Sequence, residues 1–363
     1  MKMRVLHIIC FTGNSGLTDY ALSLHRELST RFSSTLLTNR NFPGNESGVH
    51  KFFGRTRNYP LSLPSFLLRE LFWRRPEVLV FQSWLKFPLL ESVAVRCLRL
   101  GGGKLVLTVH DTLPHYPKPW SRLSVRSYFS AFDGLVVHSQ VSADTVRKLG
   151  YNGKISIIPH GSYSLFNKGR LGRDEARAKL GIAEDIFVVL FFGHVDERKG
   201  CVEFVHAARV FSPAEAVFIV AGSPDFGAIA AREFRKEVLA PSVKAMLGRV
   251  PQDEVETLFR AADLVALPYR EGSTSGVFKL AVEFGVPVVC TDVGDLGDAV
   301  RQGTAFGIPA GPDIASNLSR AIRRMIDEPQ LRAVYAARMV EERTRTSWTV
   351  VGEQYASFIN SIL

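Results

Sequence analysis

Short apolar runs alternate with longer amphipathic stretches along most of this chain. Runs rich in Val, Ile, Leu and Phe occupy Val5–Cys10, Ser34–Leu37, Val78–Phe81, Leu105–Val109, Gly134–His138 and Ile155–Ile158. A second series follows at Phe187–Phe192, Val217–Ala221, Leu264–Leu267 and Val286–Cys290. Near-continuous apolar runs of this length predict strands buried on both faces of a sheet. Helical periodicity predicts helices between them at Asp19–Arg31, Phe87–Leu100, Ser142–Leu149, Cys201–Phe211, Asp253–Ala261 and Val277–Phe284. Strands that alternate with helices through short Gly, Pro and Asp turns read as parallel sheets covered on both faces.

The alternation pauses at the polar segment Ser162–Glu175 and then resumes. The expected organisation is a first Rossmann-like domain over 1–165 and a second over 166–345. Gln330–Leu363 reads as helices, and its end, 346–363, is expected to return toward the first domain. The fold class is therefore α/β, two doubly wound domains facing across a cleft. Ligands of such sheets bind outside the carboxyl ends of the strands.

Composition narrows the picture. The chain has 363 residues, 46% of them hydrophobic, which is enough for two cores. It holds no apolar run long enough to span a bilayer. The opening MKMRVLHIICFTGNSG has a basic start and a short apolar run but no small-x-small cleavage site, and is expected to be the first strand rather than a signal peptide. Cys10, Cys97, Cys201 and Cys290 lie too far apart for a metal or redox spacing, and are expected to be reduced thiols in a cytoplasmic protein. Charge is unevenly placed. Residues 1–165 hold 21 Lys and Arg against 9 Asp and Glu, and the remainder 24 against 26, within a net charge of +10. A basic first half attracts an anionic surface or a phosphorylated substrate. No aromatic-plus-basic strand or recognition helix accompanies it, so nucleic acid is not an expected partner.

Five motifs carry candidate chemistry. Gly13-Asn14-Ser15-Gly16 follows the first strand, where glycines let backbone approach a ligand and a helix N-terminus favours an anion; Asp19 falls in the first helical turn. A plain strand-to-helix turn accounts for the same residues. His110-Asp111 ends the strand Leu105–Val109, where a histidine can bind a hydroxyl or move a proton. Pro159-His160-Gly161 ends another strand, and there the turn itself explains most of the pattern. Gly193-His194-Val195-Asp196-Glu197-Arg198-Lys199-Gly200 places two cations just before a helix, a suitable site for a diphosphate. Pro268-Tyr269-Arg270-Glu271-Gly272-Ser273-Thr274-Ser275-Gly276 opens another helix with hydroxyls and amides able to cradle phosphate, although simple helix capping by one of the three hydroxyls is the rival explanation.

These pieces occur in order over nearly the whole chain, and together they resemble glycosyltransferase family 4 and its relatives of GT-B architecture. The matching segments are Gly13–Gly16, TVHD at 108–111, VVHS at 136–139, IIPHG at 157–161, FFGHVDERKG at 191–200, GRV at 248–250 and REGSTSGVFKLAVEFGVPVV at 270–289. The resemblance implies a nucleotide-sugar donor, UDP- or GDP-linked, with no further cofactor and no metal. It implies that Gly13, Asn14 and Gly16 approach the donor phosphates and that His110 lies near the transferred sugar. Lys199, with Arg198, neutralises the leaving diphosphate in a loop opened by Gly193, and backbone near Val250 meets the base. Ser273, Thr274, Ser275 and Gly276 contact phosphate, and Glu271 holds sugar hydroxyls. His110, Lys199 and Glu271 are thus the expected catalytic residues.

Two positions depart from the family pattern. Eight residues after Glu271, where the family carries a second Glu that binds ribose, this chain has Lys279; Glu283 is the candidate substitute. His194 follows Gly193 where many members place an Arg. The expected function is transfer of a hexosyl group to a glycan or polyprenyl-diphosphate-linked acceptor with retention, in bacterial surface-polysaccharide synthesis. A catalytically silent GT-B subunit, an inverting enzyme and a sugar-nucleotide epimerase stand as alternatives. The segment Leu63–Arg75 and the loop Tyr116–Arg122 are candidates for peripheral attachment to the inner face of an anionic membrane.

Overall fold

A computed structural model describes residues 3–54, 58–82, 85–113, 120–225, 234–235, 238–271 and 275–363. The chain divides into two compact units, one formed by Met1–Gly161 with Thr346–Leu363, the other by Ser162–Arg345.

The first unit is built on β1 (Val5–Ile9), α1 (Gly16–Leu28), β2 (Ser33–Asn39) and β3 (Val49–Phe53), then α2 (Leu63–Leu68), which runs on as a wider π-type turn over Arg69–Arg74. It continues through β4 (Val78–Gln82), α3 (Pro88–Leu98), β5 (Lys104–Val109), α4 (Ser121–Phe129), β6 (Gly134–Val137), α5 (Gln140–Lys148) and β7 (Lys154–Ile157). Seven parallel strands lie in the order β3-β2-β1-β4-β5-β6-β7. The inner strands β4 and β6 are wholly buried, as their unbroken apolar runs require. One face of the sheet packs beneath α2, α3 and α4, whose Phe66, Val95 and Val125 join Phe81 and Leu107 in a single core.

The second unit contains α6 (Arg173–Leu180), β8 (Phe187–Phe192), α7 (Cys201–Ala208), β9 (Ala216–Gly222), β10 (Val243–Leu247), α8 (Gln252–Ala261) and β11 (Leu264–Leu267). It is completed by α9 (Gly276–Phe284), β12 (Val288–Thr291), α10 (Gly294–Arg301), β13 (Phe306–Ile308), α11 (Ile314–Asp327) and α12 (Pro329–Arg345). Its six strands run in the order β10-β9-β8-β11-β12-β13, all parallel, with a hydrophobic cluster on each face.

The last helix, α13 (Trp348–Ile362), belongs to the first unit. Ser347 caps it, accepting from the Val350 amide. Its buried stripe Val351, Tyr355 and Ile359 recurs at helical spacing. Gly352 rests against Glu27 of α1 so closely that a Cβ there would stand 2.1 Å from Glu27 Cγ. Tyr355 also meets Tyr20 of α1, hydroxyl to hydroxyl at 3.0 Å.

Candidate active site

In the second unit the chain winds outward from β8 to β9 and β10, then returns to place β11 on the other side of β8. The connections that follow β8 and β11 run toward opposite edges of the sheet from this switch point, where doubly wound sheets bind ligands. Asp196 Oδ1 accepts from the Lys199 amide at 2.7 Å and folds the β8 loop into a tight turn. Gly200 then adopts φ 71°, and a Cβ on it would lie 1.9 Å from the Pro268 carbonyl oxygen. Only glycine permits the two loops to approach this closely. The Arg270 amide donates to the Arg198 carbonyl at 2.9 Å, joining them again, and Arg270 Nε donates to Glu203 in the first turn of α7 at 2.5 Å.

This stitching delivers Lys199 onto the Tyr269 ring, with Nζ 3.7 Å from its centroid. Burial pushes the Lys199 ammonium down to about 8; Arg198 adds to the shift and Asp196 opposes it. Arg198 itself pairs loosely with Asp196 at 3.8 Å. Ser275 caps α9, accepting from the Phe278 amide at 3.3 Å, and its hydroxyl lies 3.0 Å from that of Tyr269. Capping thus accounts for Ser275, while Gly276 opens the helix against the Tyr163 ring. Ser273 and Thr274 lie outside the described residues. Glu271 is exposed, and Val250, just beyond β10, is half-buried against the core. Gly193 ends β8 at φ 107°. Glu283 is buried on α9, where its Oε1 accepts from Asn167 Nδ2 at 3.0 Å. Lys279 is turned toward α12, with Nζ 3.7 Å from Glu342 Oε1.

In the first unit the corresponding switch point lies between β1 and β4. The loop Gly13–Gly16 is set by hydroxyls. Ser15 caps α1, and Ser15 Oγ donates to Thr12 Oγ1 at 2.8 Å, which lies 2.9 Å from Thr18 Oγ1. Gly13 is needed for space, since a Cβ would stand 2.8 Å from the Phe42 amide nitrogen. Asn14 and Gly16 are exposed on this loop. Asp19 sits in the first turn, and burial alone raises its carboxyl to about 6. At neutral pH it is therefore an anion beside the helix N-terminus, so any attraction of phosphate to this loop rests on backbone amides.

His110 follows β5, and its Nε2 lies 2.8 Å from Gln82 Oε1 at the end of β4. Burial, and then the neighbouring His138 and His160, hold its pKa well below the ordinary histidine range. Ring centroids of His138 and His160 lie 5.1 and 6.0 Å from that of His110, and Tyr20 packs edge-on to both His110 and His160. Sequence reasoning did not single out Gln82, and it gave no role to Tyr269 or Asp196 within the motifs that contain them. Each stands one to four residues beyond an apolar strand run, at the carboxyl end of its strand, and that position was the available signal. Of the segment Tyr116–Arg122, residues 116–119 lie outside the described residues, and Trp120 and Arg122 are exposed.

Two parallel sheets with these carboxyl-end loops define a protein of GT-B architecture. Sucrose-phosphate synthase from Thermosynechococcus elongatus superposes with a TM-score of 0.76 at 17% identity, covering 99% of each chain. Anabaena Alr3699/HepE, solved in complex with UDP, superposes with a TM-score of 0.77 at 19% identity, covering 99% of this chain and 100% of that one. Residues 14–162 match the profile described as Glycosyltransferase Family 4, and 186–328 the profile described as Glycosyl transferases group 1. The chain belongs to these GT-B glycosyltransferase families. It is 28% identical over 225 residues to TuaC of Bacillus subtilis, named as a teichuronic acid biosynthesis glycosyltransferase, covering 60% of this chain and 54% of that one. It is 30% identical over 207 residues to D-inositol 3-phosphate glycosyltransferase 1 of Catenulispora acidiphila, covering 53% of this chain and 48% of that one. The matches thus span about half the length of these curated relatives.

Proposed function

We propose that the protein transfers a hexosyl group from a nucleoside-diphosphate sugar to a glycan or lipid-linked acceptor, with retention and without a metal ion, in bacterial surface-polysaccharide assembly. The observation that carries this reading is Lys199, a partly desolvated cation held over Tyr269 beside the capped N-terminus of α9. Charge builds on the diphosphate as the glycosidic bond breaks. A preorganised cation and helix amides stabilise it without reorganising, which is the work a divalent ion does elsewhere. Arg198 stands next in the same loop and adds a second positive charge. The uracil nucleotide is the preferred donor base, on the strength of HepE in complex with UDP and with UDP-glucose. The polysaccharide role draws on the name of the TuaC relative.

Neutral His110 binds a hydroxyl of the transferred sugar, because burial removes the protonated form. Retention follows if the acceptor hydroxyl enters on the face that the diphosphate leaves, with that leaving group taking the proton. Glu271, exposed ahead of α9, holds further sugar hydroxyls. The first unit, which carries the positive charge excess, receives the acceptor, and the enzyme works at the inner face of the plasma membrane.

The test is thermal unfolding with UDP, GDP, ADP, dTDP and CMP, each with magnesium and with a chelator. A nucleotide at 100 times its Kd stabilises by about 2.7 kcal/mol. The expected result is a shift with UDP that survives the chelator and is lost in Lys199→Ala, followed by release of UDP from UDP-sugar in the presence of acceptor. No shift with any nucleotide would favour a silent GT-B subunit, a reading motivated by the Lys279–Glu342 pair that stands where the resemblance expects a ribose-binding carboxylate.

A further inference from the structure

Two connections flank the switch point of the first unit, one leaving β1 and one leaving β4. The strand β4 ends at Gln82, which holds His110. Beyond it Leu85 is buried with φ 52°, a left-handed backbone that leucine adopts only at a cost. The chain emerges there, and Lys86 and Phe87 are exposed just ahead of α3. Lys86 Nζ lies 6.0 Å from the centroid of the Phe87 ring, which is 40% exposed.

A single exposed aromatic side chain is ordinary, but this one is the end of a row of rings. Phe53 closes β3 and meets Phe11, two residues past β1, edge-on at 4.9 Å. Phe11 stacks on Tyr59 at 4.5 Å, and the Tyr59 ring lies 5.9 Å from that of Phe87. Phe53, Phe11 and Tyr59 are at most 2% exposed, so the row reaches solvent at Phe87. Hydrogen bonds lock it. The Tyr59 hydroxyl donates to the buried carboxylate of Glu91, and the Glu91 amide donates to the Phe87 carbonyl at 3.0 Å in the first turn of α3. A ring fixed in this way binds a partner without the entropy loss of being ordered first. It stands at the ligand end of the sheet, with an apolar face to offer and a cation beside it. A pyranose matches both features in a protein that handles sugars. Its C–H face lies against an aromatic ring while its hydroxyls stay in water, and an anionic oxygen on the same sugar meets the ammonium in a charge-assisted bond.

We propose that Phe87 and Lys86 form an acceptor subsite that takes a hexose unit bearing a phosphate or carboxylate group, with the sugar lying on the Phe87 ring and its anionic oxygen on Lys86. The inference rests on the reading that the first unit receives the acceptor, and it names the residues and the class of sugar. The nucleotide-induced melting shift involves neither side chain. Loss of that shift would count against the donor reading alone, and loss of sugar binding against this one alone.

The experiment is saturation-transfer NMR on the full chain with glucose, glucose 6-phosphate and glucuronic acid at millimolar concentration, and with inorganic phosphate as competitor. An anionic sugar should bind about tenfold more tightly than glucose, the effect of one charge-assisted bond. Binding of glucose 6-phosphate alone would identify a phosphate acceptor, and of glucuronic acid alone a carboxylate acceptor. Phe87→Ala should weaken the anionic sugar about tenfold, the loss of one stacking contact, and Phe87→Trp should retain it. Lys86→Met should remove the preference over glucose. Both positions are exposed, so an unchanged melting temperature certifies the fold of each variant. The proposal is overturned if the wild-type protein binds none of the three sugars, or if Phe87→Ala binds them equally well. It is also overturned if inorganic phosphate competes as well as glucose 6-phosphate does for itself, which would show that the ring contributes nothing.

Discussion

His110 Nε2 lies 2.8 Å from Gln82 Oε1, and the same amide donates from its Nε2 to Thr108 Oγ1 at 3.3 Å. Thr108 is tied in turn to Tyr355 at 2.9 Å, and Tyr355 to Tyr20 at 3.0 Å. This chain orients the amide so that its oxygen faces the ring. Nε2 of His110 is then the protonated nitrogen and Nδ1 the basic one. The C-terminal helix therefore reaches the candidate catalytic histidine through three hydrogen bonds.

Replacing Gln82 with Met keeps volume and removes the acceptor. Transfer should slow by roughly tenfold to a hundredfold, as when the partner that orients a working imidazole is lost, with the nucleotide-induced melting shift unchanged. Gln82→Glu should instead raise the His110 pKa and displace the acid limb of the pH–rate profile upward. An unchanged profile in both variants would remove Gln82 from the site.

Lys199 makes donor binding depend on pH in a definite direction. Its folded pKa is about 8, below the ordinary lysine value of 10.5. Above pH 8 the free protein loses the cation, and a bound diphosphate favours its return. UDP binding should therefore weaken from pH 8 upward and take up part of a proton between about pH 8 and 10, measurable by calorimetry in buffers of different ionisation heat. Lys199→Arg, whose guanidinium stays charged, should flatten that dependence.

How much of this was legible in the sequence depends on burial. The wholly buried strands β4, β6, β11 and β12 announce themselves as apolar runs. The three strands that pattern reading missed, β3, β10 and β13, all lie at sheet edges, where VHKFF and VKAML are mostly exposed or half-buried and FGI is short. Helix starts were misjudged by a few residues for a local reason. Asp19–Arg31 was expected, but Ser15 is the cap and the helix begins at Gly16. The loops were visible as motifs, because Gly and Pro punctuate strand ends. Which side chains meet was not visible. Nothing in a linear reading joins Lys199 to Tyr269, or His110 to Gln82, since those pairs come from neighbouring strands whose order the sequence leaves open.

Gly200→Ala should be among the most damaging small changes in the second unit. The new Cβ would meet the Pro268 carbonyl at 1.9 Å, and φ 71° is unfavourable for alanine. The expected cost is at least about 2 kcal/mol, the range of left-handed strain combined with a backbone clash. Because the loops carrying Lys199 and Tyr269 must separate to relieve it, UDP binding should fall with stability. Urea unfolding and a nucleotide titration on the same variant check both.

Asp19→Asn should stabilise the protein at pH 7. The folded carboxyl titrates near 6 against 3.8 in the unfolded chain, so the folded state binds the extra proton between those values and stability is lost as pH rises through them. Above pH 6 the penalty is full, about 3 kcal/mol from the shift itself, less up to about 1 kcal/mol for a carboxylate at a helix N-terminus. The variant's advantage should therefore be about 2 kcal/mol at neutral pH and vanish near pH 4. Equal stability of the two proteins at pH 7 would show that Asp19 is better solvated than its surroundings indicate.

Lys279 tests whether the family's second carboxylate can simply be put back. Its ammonium, held down by burial, lies beside Glu342, which also accepts from Arg345 Nη2 at 2.6 Å. Lys279→Met leaves Glu342 with Arg345 and should cost no more than about 1 kcal/mol, since a buried pair contributes little over an apolar replacement when the remaining charge keeps a partner. Lys279→Glu instead sets two carboxylates against each other in a buried position and should cost about 3 kcal/mol or more. The loss should ease as pH falls, because one of the pair then holds a proton whose pKa is raised. Nucleotide binding decides what position 279 does. If Lys279→Met keeps the UDP-induced melting shift, ribose is held elsewhere; if the shift disappears, the lysine has taken over a donor contact from the opposite charge.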